Sequence, residues 1–156
     1  MGRRRGRPYI RVADADQIGL NWAKAFDFYP EDDEGEPCDV GEEFSDSSRI
    51  PVGELALELV ATPGRCLGHF CVRLVGRDRT YLFSSDGVFS GGAIILQSVK
   101  GSNVQEYAVS CNKIAAVEFD ALLPGHHMIS RRNGRRHAGA AANEFNRIGL
   151  PKDLLR

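Results

Sequence analysis

A chain of 156 residues is the size of one ordinary domain. With 42% hydrophobic and 26% charged residues, its composition excludes wholesale disorder and permits a real core. A formal net charge of -1 gives no global attraction to nucleic acid or to an anionic membrane, and no apolar run approaches the ~20 residues of a spanning helix.

Residues 1–7, Met-Gly-Arg-Arg-Arg-Gly-Arg, read as a short basic tail with a solvated terminus. They lack the apolar stretch of a secretory signal, so a soluble cytoplasmic protein is the expectation. Tyr9 to Ala13 alternates as a short strand. Asp14 and Asp16 then offer N-cap carboxylates for a helix to about Lys24, with Ile18, Leu20, Trp22 and Phe26 as its apolar contacts. Residues 30–37 form an acidic loop whose spacing fits no calcium loop, so solvated charge is expected there.

From Ile50 the pattern turns to β. Pro51-Val52-Gly53-Glu54 is a hairpin-turn candidate. Leu55, Leu57 and Leu59 fall on one face of the next strand, with Glu54, Ala56 and Glu58 on the other. Phe70 to Val75 is a further strand, turned by Gly76-Arg77-Asp78 into Thr80 to Phe83. Gly91-Gly92 opens a loop to Gly101. Ser102-Asn103-Val104-Gln105 reads as a capping box for a helix to about Val117, with Val104, Tyr107, Ala108, Cys111, Ile114 and Ala115 at helical spacing. Ala121-Leu122-Leu123 is a short buried strand. A last helix, roughly Arg135 to Arg147, is expected to bury Ala138, Ala141, Ala142, Phe145 and Ile148. The fold class is α+β: one mainly antiparallel or mixed sheet with helices on one face.

The four cysteines, Cys38, Cys66, Cys71 and Cys111, form no CxxC pair, so buried thiols in a reducing compartment are expected rather than a zinc ribbon. The basic residues Arg131, Arg132, Arg135 and Arg136 surround an Asn133-Gly134 turn. Two readings stay open for them, a solvated turn entering the last helix or a contact for an anionic group.

Three fragments carry candidate chemistry: Thr62-Pro63-Gly64-Arg65-Cys66-Leu67-Gly68-His69, Phe83-Ser84-Ser85-Asp86-Gly87-Val88-Phe89 and Leu122-Leu123-Pro124-Gly125-His126. Arg65, Asp86 and His126 each follow the end of an expected strand, where side chains project into a shared cleft from a rigid support. Metal-assisted hydrolysis needs imidazoles and carboxylates converging in this manner to lower the pKa of a bound water.

In their order and spacing the fragments resemble the later motifs of the metallo-beta-lactamase superfamily. That resemblance covers roughly residues 8–156 and implies the C-terminal half of an αββα sandwich. It also implies zinc or another divalent metal as cofactor. Thr62-Pro63-Gly64 resembles a TPGH loop, but Arg65 stands at the ligand position; Ser84-Ser85-Asp86 resembles the loop of the bridging aspartate; Pro124-Gly125-His126-His127 resembles the final histidine loop. The resemblance makes Asp86 and His126 the surviving metal ligands and assigns no catalytic residue. The superfamily's HxHxDH motif occurs nowhere in the chain, whose residues 8–20 resemble the strand and helix that follow it.

Three functional expectations follow. The first is a truncated or degenerate hydrolase, inactive as an isolated chain, because two ligands hold zinc poorly and a guanidinium has no lone pair to donate. The second is half of an active enzyme, completed by another chain or an N-terminal segment. The third is a scaffold that self-associates or docks through the uncovered inner face of its sheet.

Overall fold

The computed structural model describes residues 9–11, 42–97 and 101–155, and it divides the chain into two compact units, residues 1–45 and 46–156. In the first unit, β1 (Tyr9–Arg11) pairs in parallel with β2 (Glu42–Phe44). The basic tail, the helix expected over 14–24 and the acidic loop lie outside the described residues.

The second unit holds a five-stranded sheet in the order β3 (Arg49–Val52), β4 (Leu55–Ala61), β5 (Phe70–Val75), β6 (Thr80–Ser85) and β7 (Ala121–Pro124). The first four strands form the expected antiparallel meander. Gly53-Glu54 closes the first hairpin, with Gly53 at φ 60, a left-handed conformation that glycine adopts without penalty. Pro51 and Val52 belong to β3 itself. β7 runs parallel to β6, so the chain must cross over between them. Helix α1 (Val104–Ala116) makes the crossover, and α2 (Arg135–Asn146) follows β7.

Both helices cover the same face of the sheet. Register places Val60 opposite Cys71 and Leu82 opposite Leu122, so these four residues point to one side. There they join Tyr107, Cys111 and Ile114 of α1 and Ala138, Ala141 and Ala142 of α2 in one buried cluster. The three alanines let α2 approach closely. Helix α1 begins one residue later than its sequence suggests. Asn103 is the N-cap, its side-chain oxygen accepting from Glu106 N at 3.1 Å, while the Ser102 hydroxyl is engaged elsewhere.

One expectation about α2 is overturned. Ile148 is 99% exposed, because the chain enters a left-handed turn at φ 61 after Asn146 and swings that side chain away from the helix's apolar face. Ala138, Ala141 and Ala142 are buried as their spacing suggests.

The opposite face of the sheet is also apolar. Leu57 pairs with Leu74, Leu59 with Val72, and Val72 with Phe83, and all share that side. Leu59 is buried, while Val52, Leu55 and Phe83 keep 52%, 38% and 39% of their surface exposed. No helix among the described residues is long and apolar enough to cross a membrane.

Leu82 and Ile148 test where the stability lies. Leu82→Ala empties a fully buried position and should cost about 2–5 kcal/mol in urea unfolding. Ile148→Ser should change stability by less than about 0.5 kcal/mol.

Candidate functional site

Strand direction assembles the site. Two antiparallel steps make β4 parallel to β6, and β7 is parallel to β6, so the C-terminal ends of all three lie along the same edge of the sheet. Arg65, Asp86 and His126 follow those ends. They meet: Arg65 Nε lies 3.9 Å from Asp86 Oδ2, and His126 Nε2 lies 3.5 Å from Asp86 Oδ1.

Each loop is fixed by its neighbours. The β4–β5 loop closes through Thr62 N donating to His69 O at 2.9 Å. Helix α1 then pins its first turn. The Ser110 hydroxyl donates to Pro63 O at 2.6 Å, and Asn103 N and the Ser102 hydroxyl donate to Gly64 O at 2.9 and 3.2 Å. Gly64 has φ 126, and a Cβ there would collide with the Tyr107 backbone, so only glycine lets this loop rest on the helix.

The Asp86 loop follows a register shift between Phe83 and Ser85, and the Tyr107 hydroxyl donates to Asp86 O at 2.7 Å. Gly125 N donates to Ser85 O at 2.7 Å and ties the third loop to the second. A Cβ on Gly125 would lie 3.1 Å from Asp86 Oδ1, so glycine here leaves room for the carboxylate. Buried Phe89 stacks on His126 with centroids 6.3 Å apart and meets His127 edge-on at 6.5 Å. His127 has φ 64 and stays exposed.

The guanidinium of Arg65 is unusual. Among the described residues, none accepts a hydrogen bond from its N–H groups, and its Nε is buried without an acceptor. A buried donor left unpaired costs about 1–3 kcal/mol. The carboxylate oxygen at 3.9 Å offers Coulomb attraction but lies beyond hydrogen-bond range.

His69 sits behind this centre. Its Nδ1 is 3.1 Å from Thr62 O and 2.8 Å from the Thr62 hydroxyl. A carbonyl can only accept, so Nδ1 carries the proton, and the buried Nε2 keeps a lone pair with no partner among the described residues. Burial first, opposed by the Asp86 charge and the Thr62 carbonyl and reinforced by Arg65, lowers the His69 pKa from 6.5 to about 4. The Cys71 and Cys111 thiols are pushed up to about 12 by burial and are inert as nucleophiles.

The residues of this centre do not suit a zinc ion. Two ligands of a tetrahedral zinc, each at ~2.05 Å, stand about 3.4 Å apart, and the 3.5 Å between His126 Nε2 and Asp86 Oδ1 is close to that. Among the described residues a third protein donor is missing: Arg65 holds the position beside Oδ2 and has no lone pair to give. No group of three or more His, Cys, Asp or Glu side chains that could hold a metal occurs among the described residues.

The fold is that of metallo-beta-lactamase proteins. A metallo-beta-lactamase family protein from Thermus thermophilus superposes with a TM-score of 0.68 at 13% identity, over 91% of this chain and 53% of its own. A mutant of the Cronobacter sakazakii metallo-beta-lactamase with a HARLDQ motif gives 0.66 at 17% identity, over 92% of this chain and 64% of its own. BJP-1, a subclass B3 metallo-beta-lactamase of Bradyrhizobium japonicum, gives 0.64 at 18% identity, over 92% and 62%. The chain thus spans between about half and two thirds of the length of the structures it matches. No protein-family model and no curated protein sequence matches it.

Sequence reasoning placed Arg65, Asp86 and His126 at strand ends, and the structure brings them together. It missed the groups that hold them: Ser102, Ser110, Tyr107 and Phe89. Tyr107 carried a signal, as a large polar-tipped residue at a core-facing helical position. The hydroxyls of Ser102 and Ser110 carried none, since their acceptors are nearly forty or more residues away in sequence.

His69 yields a pH prediction. The unfolded imidazole takes up its proton near pH 6.5 and the folded one near 4, so the unfolded chain binds more protons between these values. Stability is full above pH 6.5 and falls as the pH drops toward 4, by roughly 3 kcal/mol from this residue. Urea unfolding across that window should show the decline in the native chain and a much shallower one in His69→Gln.

Proposed function

We propose that this chain is a degenerate metal-dependent hydrolase that has no hydrolytic activity as an isolated chain, and that the Arg65 guanidinium takes the place of a metal cation beside Asp86. The observation that carries this reading is the division of one carboxylate. Its Oδ1 faces an imidazole at the separation of two ligands on one ion, and its Oδ2 faces a permanent organic cation. Asp86 and His126 are then former ligand positions that retain their geometry. Their link to zinc or another divalent metal is one of ancestry, supported by the order of the three motifs and by the fold. No step of hydrolysis is assigned, because the donors present do not hold the ion that would activate water.

A second reading is supported by two observations. The chain aligns over nine tenths of itself with structures nearly twice its length, and the sheet face away from the helices carries exposed Val52, Leu55 and Phe83. A complementary segment bearing HxHxDH, on another chain or encoded in frame upstream of Met1, would cover that face and complete a site defective at Arg65. The upstream coding DNA decides this reading: its absence there and a lone chain on affinity capture from the native cell defeat it. Should the chain instead act as a scaffold through that face, light scattering would show a stable oligomer, and a monomer that binds no apolar dye would count against it.

We also propose a cytoplasmic location, supported by the free thiols of Cys71 and Cys111. Thiol titration of the protein taken from cells should find Cys71 and Cys111 reduced, and a disulfide at either position would contradict that placement.

Equilibrium dialysis against zinc tests the main reading. The native chain should retain well under one equivalent. Arg65→His supplies a third donor and should raise zinc affinity by roughly tenfold or more. Stoichiometric, tight zinc on the native chain, or hydrolysis of an ester, thioester or lactam by the zinc-treated native chain, would defeat it.

A further inference from the structure

The Arg65 guanidinium is poised for a partner of a particular kind. Its five N–H donors form a planar fork suited to two-point recognition of an oxyanion. Among the described residues it uses none of them in a hydrogen bond. Its Nε is sealed from solvent without a partner. The terminal Nη atoms, likewise without a hydrogen bond to the described residues, keep contact with solvent. The side chain as a whole is only 20% exposed.

A surface arginine meets water through every donor and gains little from a ligand. A half-sealed arginine has lost much of its water, and Arg65 finds no hydrogen-bond acceptor among the described residues to replace it. The backbone beneath it cannot relax freely, because α1 holds Pro63 and Gly64 by three hydrogen bonds and glycine packing against Tyr107. The donor fork is therefore held ready at small entropic cost.

Neighbouring groups set the charge. Asp86 lies on the Nε side at 3.9 Å and balances one positive charge. His126 is 64% exposed at the side chain and lies on the far oxygen of Asp86, held by its stack on Phe89. Its imidazole offers a further N–H donor at the rim. His69 contributes no competing positive charge near neutral pH, since its burial keeps it neutral.

From this arrangement we infer that the degenerate centre is an oxyanion-binding site, in which the Nη groups of Arg65 grip a carboxylate or phosphate group and His126 borders it. The inference rests on the reading of Arg65 as an organic cation in the metal's place, and it goes further by naming the ligand class. It inverts the polarity of the ancestral chemistry. A metal centre draws electron-pair donors from the protein, whereas this one offers hydrogen-bond donors to an electron-pair-rich ligand.

Arginine side-chain NMR on the full chain tests it. The 15N-labelled protein is titrated with inorganic phosphate and, separately, with acetate, at constant ionic strength. At least one anion should produce a saturable shift of the Arg65 Nε resonance together with the His126 ring, and the arm that saturates at the lower concentration names the preferred class. Arg65→Lys keeps the charge without the fork and should weaken saturation of the His126 signal by roughly tenfold. Arg65→Gln should abolish it. Arg132→Ala, in the exposed basic turn, should leave the Arg65 response intact. Linear, unsaturating shifts with both anions would overturn the inference, as would undiminished binding by Arg65→Gln, or loss on Arg132→Ala alone. Zinc dialysis separates the two levels. A native chain that binds neither zinc nor anion defeats this inference and leaves the parent reading standing, whereas tight zinc defeats both.

Discussion

Asp86 divides its carboxylate between an imidazole and a guanidinium, and much of the second unit serves to hold that arrangement. The 3.9 Å approach of Arg65 is too long for a hydrogen bond, so the pair is a Coulomb contact between partly buried groups, not a locked salt bridge. Loops left to themselves would not keep such a contact. They keep it because α1 is anchored on two of them at once. Its N-terminal residues and Ser110 fasten Pro63 and Gly64, and Tyr107 reaches across with its hydroxyl to the backbone of Asp86. The Tyr107 pKa is raised, chiefly by burial, so the hydroxyl keeps its proton and stays a donor. The ring of Tyr107 meanwhile sits in the main core with Cys111 and Ile114. Core packing and site geometry are thus one structure, joined at this residue.

An arginine beside Asp86 is more than a side chain without an electron pair to donate. Among the described residues, a neutral residue at 65 would leave Asp86 facing its imidazole neighbour alone, with no counter-charge beside Oδ2. The guanidinium supplies that charge permanently, since it does not lose its proton. A covalently attached cation at this edge of the sheet offsets the carboxylate without recruiting an ion. What it cannot do is act as a Lewis acid, because a guanidinium has no vacant coordination position to accept an electron pair from water and lower its pKa as a metal ion does.

Much of the architecture was legible in sequence because its signals are local. Period-two alternation marked β4, and the Gly76-Arg77-Asp78 turn separated the apolar runs of β5 and β6. Helical spacing marked α1 and α2. The features that escaped depend on tertiary partners. Ser102 looked like the N-cap of α1, yet its hydroxyl is drawn away to Gly64 O, and the cap passes to Asn103. Ile148 continued the apolar periodicity of α2, but the left-handed turn at that residue ends the helix and exposes it. The parallel pairing of β7 with β6 could not be read from either strand alone, although it brings His126 beside Asp86. The three motif fragments were legible as types. Their convergence was a consequence of strand direction, which only the assembled sheet displays.

In the function proposed for this chain a guanidinium, not a metal ion, neutralises Asp86 at the end of β6. Elemental analysis of the intact chain, purified without chelators from cells grown in metal-replete medium, tests it most directly. Zinc, iron and manganese should each be far below one atom per chain. One tightly held atom of any of these per chain, surviving gel filtration, would contradict it.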